Sequence, residues 1–404
     1  MSQKPPRWDL GNVFPSLESN EFEAAFQKFK DQITSLETLS REKLPAMGLD
    51  TPIPDLAALT GEAIEYFNAL YELGGTLRAY IQSFVATDSH NTLAMKKMSE
   101  FQMTSVKLQV LGNQFQAWIG RISPLLEQVI AADQTAAAHA FNLRETAEQA
   151  RYLMSEAEET LAAELGLSGT NAWSKLQGTV TSQLTVDFEL DGKIEKLPMP
   201  ALINLHSHPD EAVRKRAYEA ELEAWKSARE PLAACMNGVK GWANTLNQKR
   251  GREDALHQAL DMARIDRGTL EAMLGAMQAS FPTFRRYFDA KAKRLGTDKL
   301  AWWDIFAPVG RAEKTYTFDE TRDFIVTHFG GFSPELADFA RRAFEHNWID
   351  AEQREGKRGG AYSHGAVPSA HPYVFLNYEG NPRDVMTLAH ELVHWAHQYL
   401  ARRQ

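Results

Sequence analysis

His390-Glu391-Leu392-Val393-His394, within the run Thr387-Leu388-Ala389-His390-Glu391-Leu392-Val393-His394-Trp395, decides how this chain is read. Residues four apart on a helix are neighbours on one face, so the two imidazoles can grip a single metal ion. Glu391, beside the first histidine, is placed near a water on such an ion. A zinc hydrolase needs that arrangement to make hydroxide at neutral pH. Upstream, Gly380-Asn381-Pro382-Arg383-Asp384 predicts the start of the helix, with Asn381 as N-cap, Pro382 in the first turn and Asp384 reaching back as the N3 acid. Leu388, Ala389, Leu392, Val393, Trp395 and Ala396 surround the motif and predict a well-buried helix. In such surroundings two histidines and a carboxylate need hydrogen bonds or a metal. The competing reading makes His390 and His394 core histidines and Glu391 a surface acid.

A catalytic zinc takes three protein ligands and leaves a fourth position for water, and this helix offers two. His397 is the nearest further candidate. It lies seven residues from His390, about 10.5 Å along a straight helix axis, too far to share one ion. Metalloproteases that use a third nearby histidine first break the helix with a glycine, and no glycine lies between His394 and Gln404. The third ligand is expected from elsewhere.

With 404 residues the chain can bury a large core as one domain or as two to three smaller ones. A formal charge of -9 argues against a general nucleic-acid partner. The single cysteine, Cys235, excludes an internal disulfide, and its apolar neighbours predict a packed small hydrophobe. No apolar stretch follows Met1-Ser2-Gln3-Lys4-Pro5-Pro6, and no run of eighteen apolar residues occurs. A cytoplasmic protein without a membrane partner is the expectation.

Most of the chain reads as helix, with three- and four-residue apolar spacing over 21–38, 55–89, 92–132, 144–165, 210–249 and 267–294. Two stretches differ. Alternation over 181–190, then Asp191-Gly192, then Ile194 and Leu197, predicts a β-hairpin. Pro372-Tyr373-Val374-Phe375-Leu376-Asn377-Tyr378 predicts a strand just before the histidine helix.

Together, Gly359-Gly360-Ala361-Tyr362, the strand 372–378 and Thr387–Leu392 closely resemble the oligoendopeptidase F branch of the thimet-oligopeptidase-like zinc metallopeptidases. Weaker likeness lies in Trp8-Asp9-Leu10 and in Ala150-Arg151-Tyr152-Leu153-Met154-Ser155-Glu156. The resemblance implies a mainly α, elongated, two-lobed peptidase fold around a deep channel, with a small sheet beside the active-site helix. It implies Zn2+ on His390 and His394, and Glu391 as the general base. Residues 1–190 are then an N-terminal helical region that includes the oligopeptidase F-type domain. Residues 191–404 are the N-terminal portion of the catalytic domain, cut after the active-site helix. Relatives continue beyond this point, where their third zinc ligand, a glutamate, and their oxyanion-stabilising His and Tyr lie. Val393 stands where the family usually has glycine.

An exposed sheet edge can pair with an extended peptide, which makes Gly360 and Ala361 candidate substrate contacts; the alternative is that the glycines only allow a bend. The expected function is a zinc-dependent oligoendopeptidase acting on short unstructured peptides. The alternatives are an incomplete fragment, a split-enzyme half completed by a C-terminal segment or complementary chain, or a peptide-binding helical protein with a vestigial motif. His206 and His208 read as a solvated turn or a metal pair, and His364 and His371 as surface or cleft residues. Trp302-Trp303-Asp304 reads as core packing with a turn acid. Lys357-Arg358 reads as a solvated loop, or as an arginine aimed at a peptide carboxylate.

Overall fold

A computed structural model describes residues 4–310, 314–364 and 373–401. The chain is mainly helical, with two small sheets. The first helices are α1 (Asn20–Glu42), α2 (Ile53–Thr87) and α3 (Thr92–Arg121), followed by α4 (Leu126–Ala132), α5 (Gln134–Ala138), α6 (Ala140–Gln149) and α7 (Glu156–Leu165). The apolar repeat of α1 (Phe22, Phe26, Phe29, Ile33, Leu36) is at most 1% exposed and packs against α2 and α3. Gly74 of α2 admits this packing, because a Cβ there would lie 2.7 Å from the Phe29 ring. The pattern over 92–132 does not give one helix. A 3₁₀ turn containing Pro124 interrupts it, since proline cannot extend a preceding helix.

After α8 (Ala172–Gln183) comes the expected hairpin, β1 (Thr185–Leu190) paired antiparallel with β2 (Lys193–Pro198). Its two-residue turn has φ of 52° at Asp191 and 76° at Gly192, the left-handed pair such a turn requires. Phe188 packs in a small core with α9 (Met199–Asn204) and α10 (Glu211–Ser227). The helix expected over 210–249 is broken at Ala228 into α10 and α11 (Arg229–Lys249). Beside the break, the Ser227 hydroxyl donates back to the Ala224 carbonyl, a local bond that competes with the helical ladder.

Beyond α12 (His257–Ala263), α13 (Arg267–Leu295) is exposed at every residue over 271–290. Leu274, Met277, Phe281, Phe284 and Phe288 form an uncovered stripe along it.

The last unit comprises α14 (Phe318–Phe332), α15 (Pro334–Glu345), β3 (Ile349–Asp350), β4 (Tyr362–His364), β5 (Tyr373–Phe375) and α16 (Pro382–Ala401). β5 is central, parallel to β3 and antiparallel to β4. The N-terminal segment straps onto this unit. Asp9 N–H donates to Asn347 O and Ala351 N–H to Pro6 O, both at 2.8 Å, and Tyr373 OH donates to Asn12 Oδ1. Among the described residues no helix is long and apolar enough to cross a membrane.

Candidate metal centre

The histidine helix α16 is started by the residues expected to start it. Asn381 Oδ1 accepts from Asp384 N–H at 3.0 Å, and Asp384 Oδ2 accepts from the N–H groups of Glu379 and Gly380 at 2.8 and 3.0 Å. One face, carrying Val385, Leu388, Leu392, Trp395 and Ala396, is buried against β5, β4 and α15. Trp395 anchors it through an edge contact to Phe339 and a stack on Tyr399, both at 5.5 Å. The opposite face is open, with Met386, Val393 and Leu400 exposed beside His390 and His394. The expectation of a well-buried helix therefore holds for one face only. The apolar residues near the motif divide between two faces, and Val393, 48% exposed, lies on the outer one.

On that open face the imidazoles converge. Their Nε2 atoms are 2.9 Å apart, with ring centroids at 4.5 Å and planes at 86°. One Nε2–H donates to the other nitrogen here. Two nitrogens each about 2.05 Å from a tetrahedral ion lie roughly 3.3 Å apart, so a slight ring rotation suits a shared zinc. Glu391, next to the pair, is only 7% exposed. Among the described residues, no hydrogen bond or ion pair reaches its carboxylate. Two imidazole nitrogens converging on an open helix face are the donor type that a divalent zinc takes, so the residues present fit such an ion. Among the described residues no group of three His, Cys, Asp or Glu gathers, and His397 does not join the pair.

β4, at the sheet edge, is tied to the helix. Ser363 Oγ donates to Gln398 Oε1 at 3.0 Å, and Tyr362 stacks on Phe375 at 4.7 Å. Gly360 is exposed with φ of 92°, a backbone region that favours glycine. The bend reading of the two glycines thus has a physical basis, and Gly360 also remains open to an incoming chain. Asn377 positions this loop by donating from Nδ2 to Arg358 O at 3.0 Å and to Gly360 O at 3.2 Å. Sequence reasoning passed over Asn377. Its signal was an amide placed between the apolar Leu376 and Tyr378.

Other expectations change. Lys357 is not in a solvated loop. It is 1% exposed, and its Nζ donates to Glu352 O at 2.9 Å, to Leu376 O at 2.6 Å and to the Asp350 carboxylate at 2.6 Å. Burial pushes this ammonium from 10.5 down to about 8, against the pull of Asp350. The half-buried Arg358 side chain lies against Gly178 of α8, where an added Cβ would meet Nη2 at 2.8 Å. His206 and His208 do not converge, since His206 Nε2 is 2.9 Å from Glu221 and His208 Nδ1 accepts from Asp210 N–H. Trp302 is 69% exposed rather than core, whereas Asp304 is buried and bonded to Arg214. Cys235 is packed inside, as expected. His371 and the side chain of His364 lie outside the described residues.

Residues 204–404 match the sequence model described as Peptidase family M3, and residues 124–185 match that described as Oligopeptidase F. The oligopeptidase PepF of Bacillus subtilis is 24% identical over 409 residues, covering 98% of this chain. An oligoendopeptidase F homolog of Lactococcus lactis subsp. lactis is 23% identical over 413 residues, again covering 98% of this chain. The chain spans 58% of the length of the first and 64% of the second. A solved structure of a putative oligoendopeptidase F from Bacillus anthracis shares the fold with a TM-score of 0.68 at 18% identity, covering 94% of this chain and 66% of that one. A putative peptidase from Chlamydophila abortus does so at 0.62 and 21%, covering 99% of this chain and 67% of that one. With the histidine helix inside the longer of the two matched regions and the fold shared along nearly its whole length, the chain belongs to peptidase family M3, in its oligopeptidase F branch.

Proposed function

We propose that this chain carries the metal-binding part of a zinc oligoendopeptidase site, with His390 and His394 as two ligands and Glu391 as general base. A zinc ion held there would polarise a scissile carbonyl and acidify a water molecule. Glu391 takes the proton of the attacking water and passes it to the leaving amine. The edge of β4 and the exposed Gly360, with Ala361, pair with the main chain of an extended peptide. The substrate class is short unstructured peptides. Residues 1–190 form the N-terminal helical region and 191–404 the start of the catalytic domain, a division bracketed by the two family matches. The observation that carries the reading is the convergence of two imidazole nitrogens at 2.9 Å on the helix face beside Glu391.

A second reading has its own support. In it the 404 residues alone are a catalytically incomplete fragment or one half of a split site, consistent with the pair gathering no third ligand among the described residues. Metal analysis and a quenched fluorescent peptide assay, run with and without chelator and against Glu391→Gln, decide between them. Near-stoichiometric zinc with chelator-sensitive cleavage that Glu391→Gln abolishes supports the enzyme. Zinc retained without cleavage supports the incomplete site. No zinc and no cleavage sinks the enzyme reading and favours the incomplete site, since two histidines alone hold zinc weakly.

A further inference from the structure

A cavity of about 700 Å³ lies between the α2–α3 pair on one side and α7, α11 and α12 on the other. That is within the usual range of ligand sites, roughly 300–1,000 Å³. Its lining is unusual for a chain of net charge -9, because it contains two arginines and no carboxylate. Arg250 is neutralised from outside the lining by Glu159, through a pair of bonds at 2.9 and 2.7 Å. Arg78 is exposed, and no acid lies within ion-pairing reach of it among the described residues. Its guanidinium is therefore the uncompensated charge of the cavity. The same lining holds amide side chains such as Gln102 and Gln109, each offering both donors and an acceptor, and the rings of Tyr71 and Trp242.

We infer that this cavity receives the C-terminal end of a peptide, with the Arg78 fork on the terminal carboxylate and the amide side chains on the flanking peptide groups. The chemistry matches on each count. A guanidinium binds a carboxylate through two parallel N–H···O bonds. Amides satisfy the N–H and C=O groups of an extended chain, and the aromatic rings accept an apolar side chain. The absence of acids in the lining removes the repulsion that would otherwise reject an anionic terminus. The inference deepens the peptide-hydrolysis reading and rests on it for the substrate class, but the binding it predicts needs neither metal nor cleavage.

The test is calorimetric titration of the full chain, carrying Glu391→Gln so that the peptide survives. One N-acetylated hexapeptide is prepared as the C-terminal acid and as the C-terminal amide. A charge-assisted pair at this site favours the acid by about tenfold or more. Arg78→Gln collapses that ratio to near one by weakening the acid far more than the amide, and Arg78→Lys restores part of it. Equal affinity for acid and amide in the Arg78 protein overturns the inference. So does an equal loss for both peptides in Arg78→Gln, or displacement of the acid by millimolar inorganic phosphate, which would mark a general anion site. Failure here with intact cleavage in the fluorescent assay would remove this subsite and leave the peptidase reading standing.

Discussion

Replacing Glu391 by glutamine tests the electrostatics of the metal centre without touching either imidazole. Glu391 as a residue is 7% exposed, and its carboxylate has no hydrogen bond or ion pair among the described residues. Burying a polar group without a partner costs about 1–3 kcal/mol by mutational measures, and a charge costs more. Glutamine keeps the shape but sheds the charge, and because solvent still reaches the carboxylate oxygens the metal-free Glu391→Gln protein gains at most about 1 kcal/mol. Unfolding entropy scales with size, and domains of 150–250 residues shift by about 2–4 °C per kcal/mol. For a longer chain the expected rise in melting midpoint is at most about 2 °C. The assay is thermal melting in chelator, followed by zinc titration. A ligand at 100 times its dissociation constant stabilises by about 2.7 kcal/mol. Zinc should therefore raise the midpoint of the unsubstituted chain and, by less, that of Glu391→Gln, because the ligands survive but the neighbouring negative charge does not. His390→Ala and His394→Ala should each lose most of the shift. The reasoning fails if Glu391→Gln lowers the metal-free midpoint, which would mean that the carboxylate is well satisfied. It also fails if zinc stabilises the alanine variants as much as the parent.

Two further outcomes follow from the same packing. Lys357 has a folded value of about 8 against 10.5 when unfolded. Between these values the unfolded chain binds the extra proton, so stability rises with pH across that window by up to about 3 kcal/mol. The difference in melting midpoint between the parent and Lys357→Met should thus change across pH 8 to 10.5, and parallel curves would refute the burial argument. For α13, complete exposure over 271–290 leaves helix propensity alone to hold the segment, with Gly275 and Pro282 against it. Its amides should exchange hydrogen far faster than those of α2, as read by mass spectrometry; equal protection would show that the segment is covered in solution.

What was legible in the sequence was local. The hairpin turn at Asp191-Gly192 needs only two residues able to take positive φ, and the Asn381–Asp384 cap needs only neighbours along the chain. The His390–His394 spacing likewise fixes a shared face wherever a helix forms. What stayed hidden depended on partners far along the chain. Lys357 reads as solvated until β3 and β5 bring Asp350 and Leu376 to its ammonium. Tyr373 reads as a strand residue of the last unit, yet it joins the first hydrophobic core and bonds to Asn12, 361 residues away. The same limit explains the open face of α16. Periodicity says that Leu388, Leu392 and Trp395 share a side, but only the packing of β5 and α15 shows which side is filled. The unfilled side carries both imidazoles together with Met386, Val393 and Leu400. Apolar side chains on that face favour being covered, and a catalytic zinc takes a third protein ligand. Polypeptide that covered this face would be placed to supply that ligand, which joins the stability of the histidine helix to the completeness of its metal site.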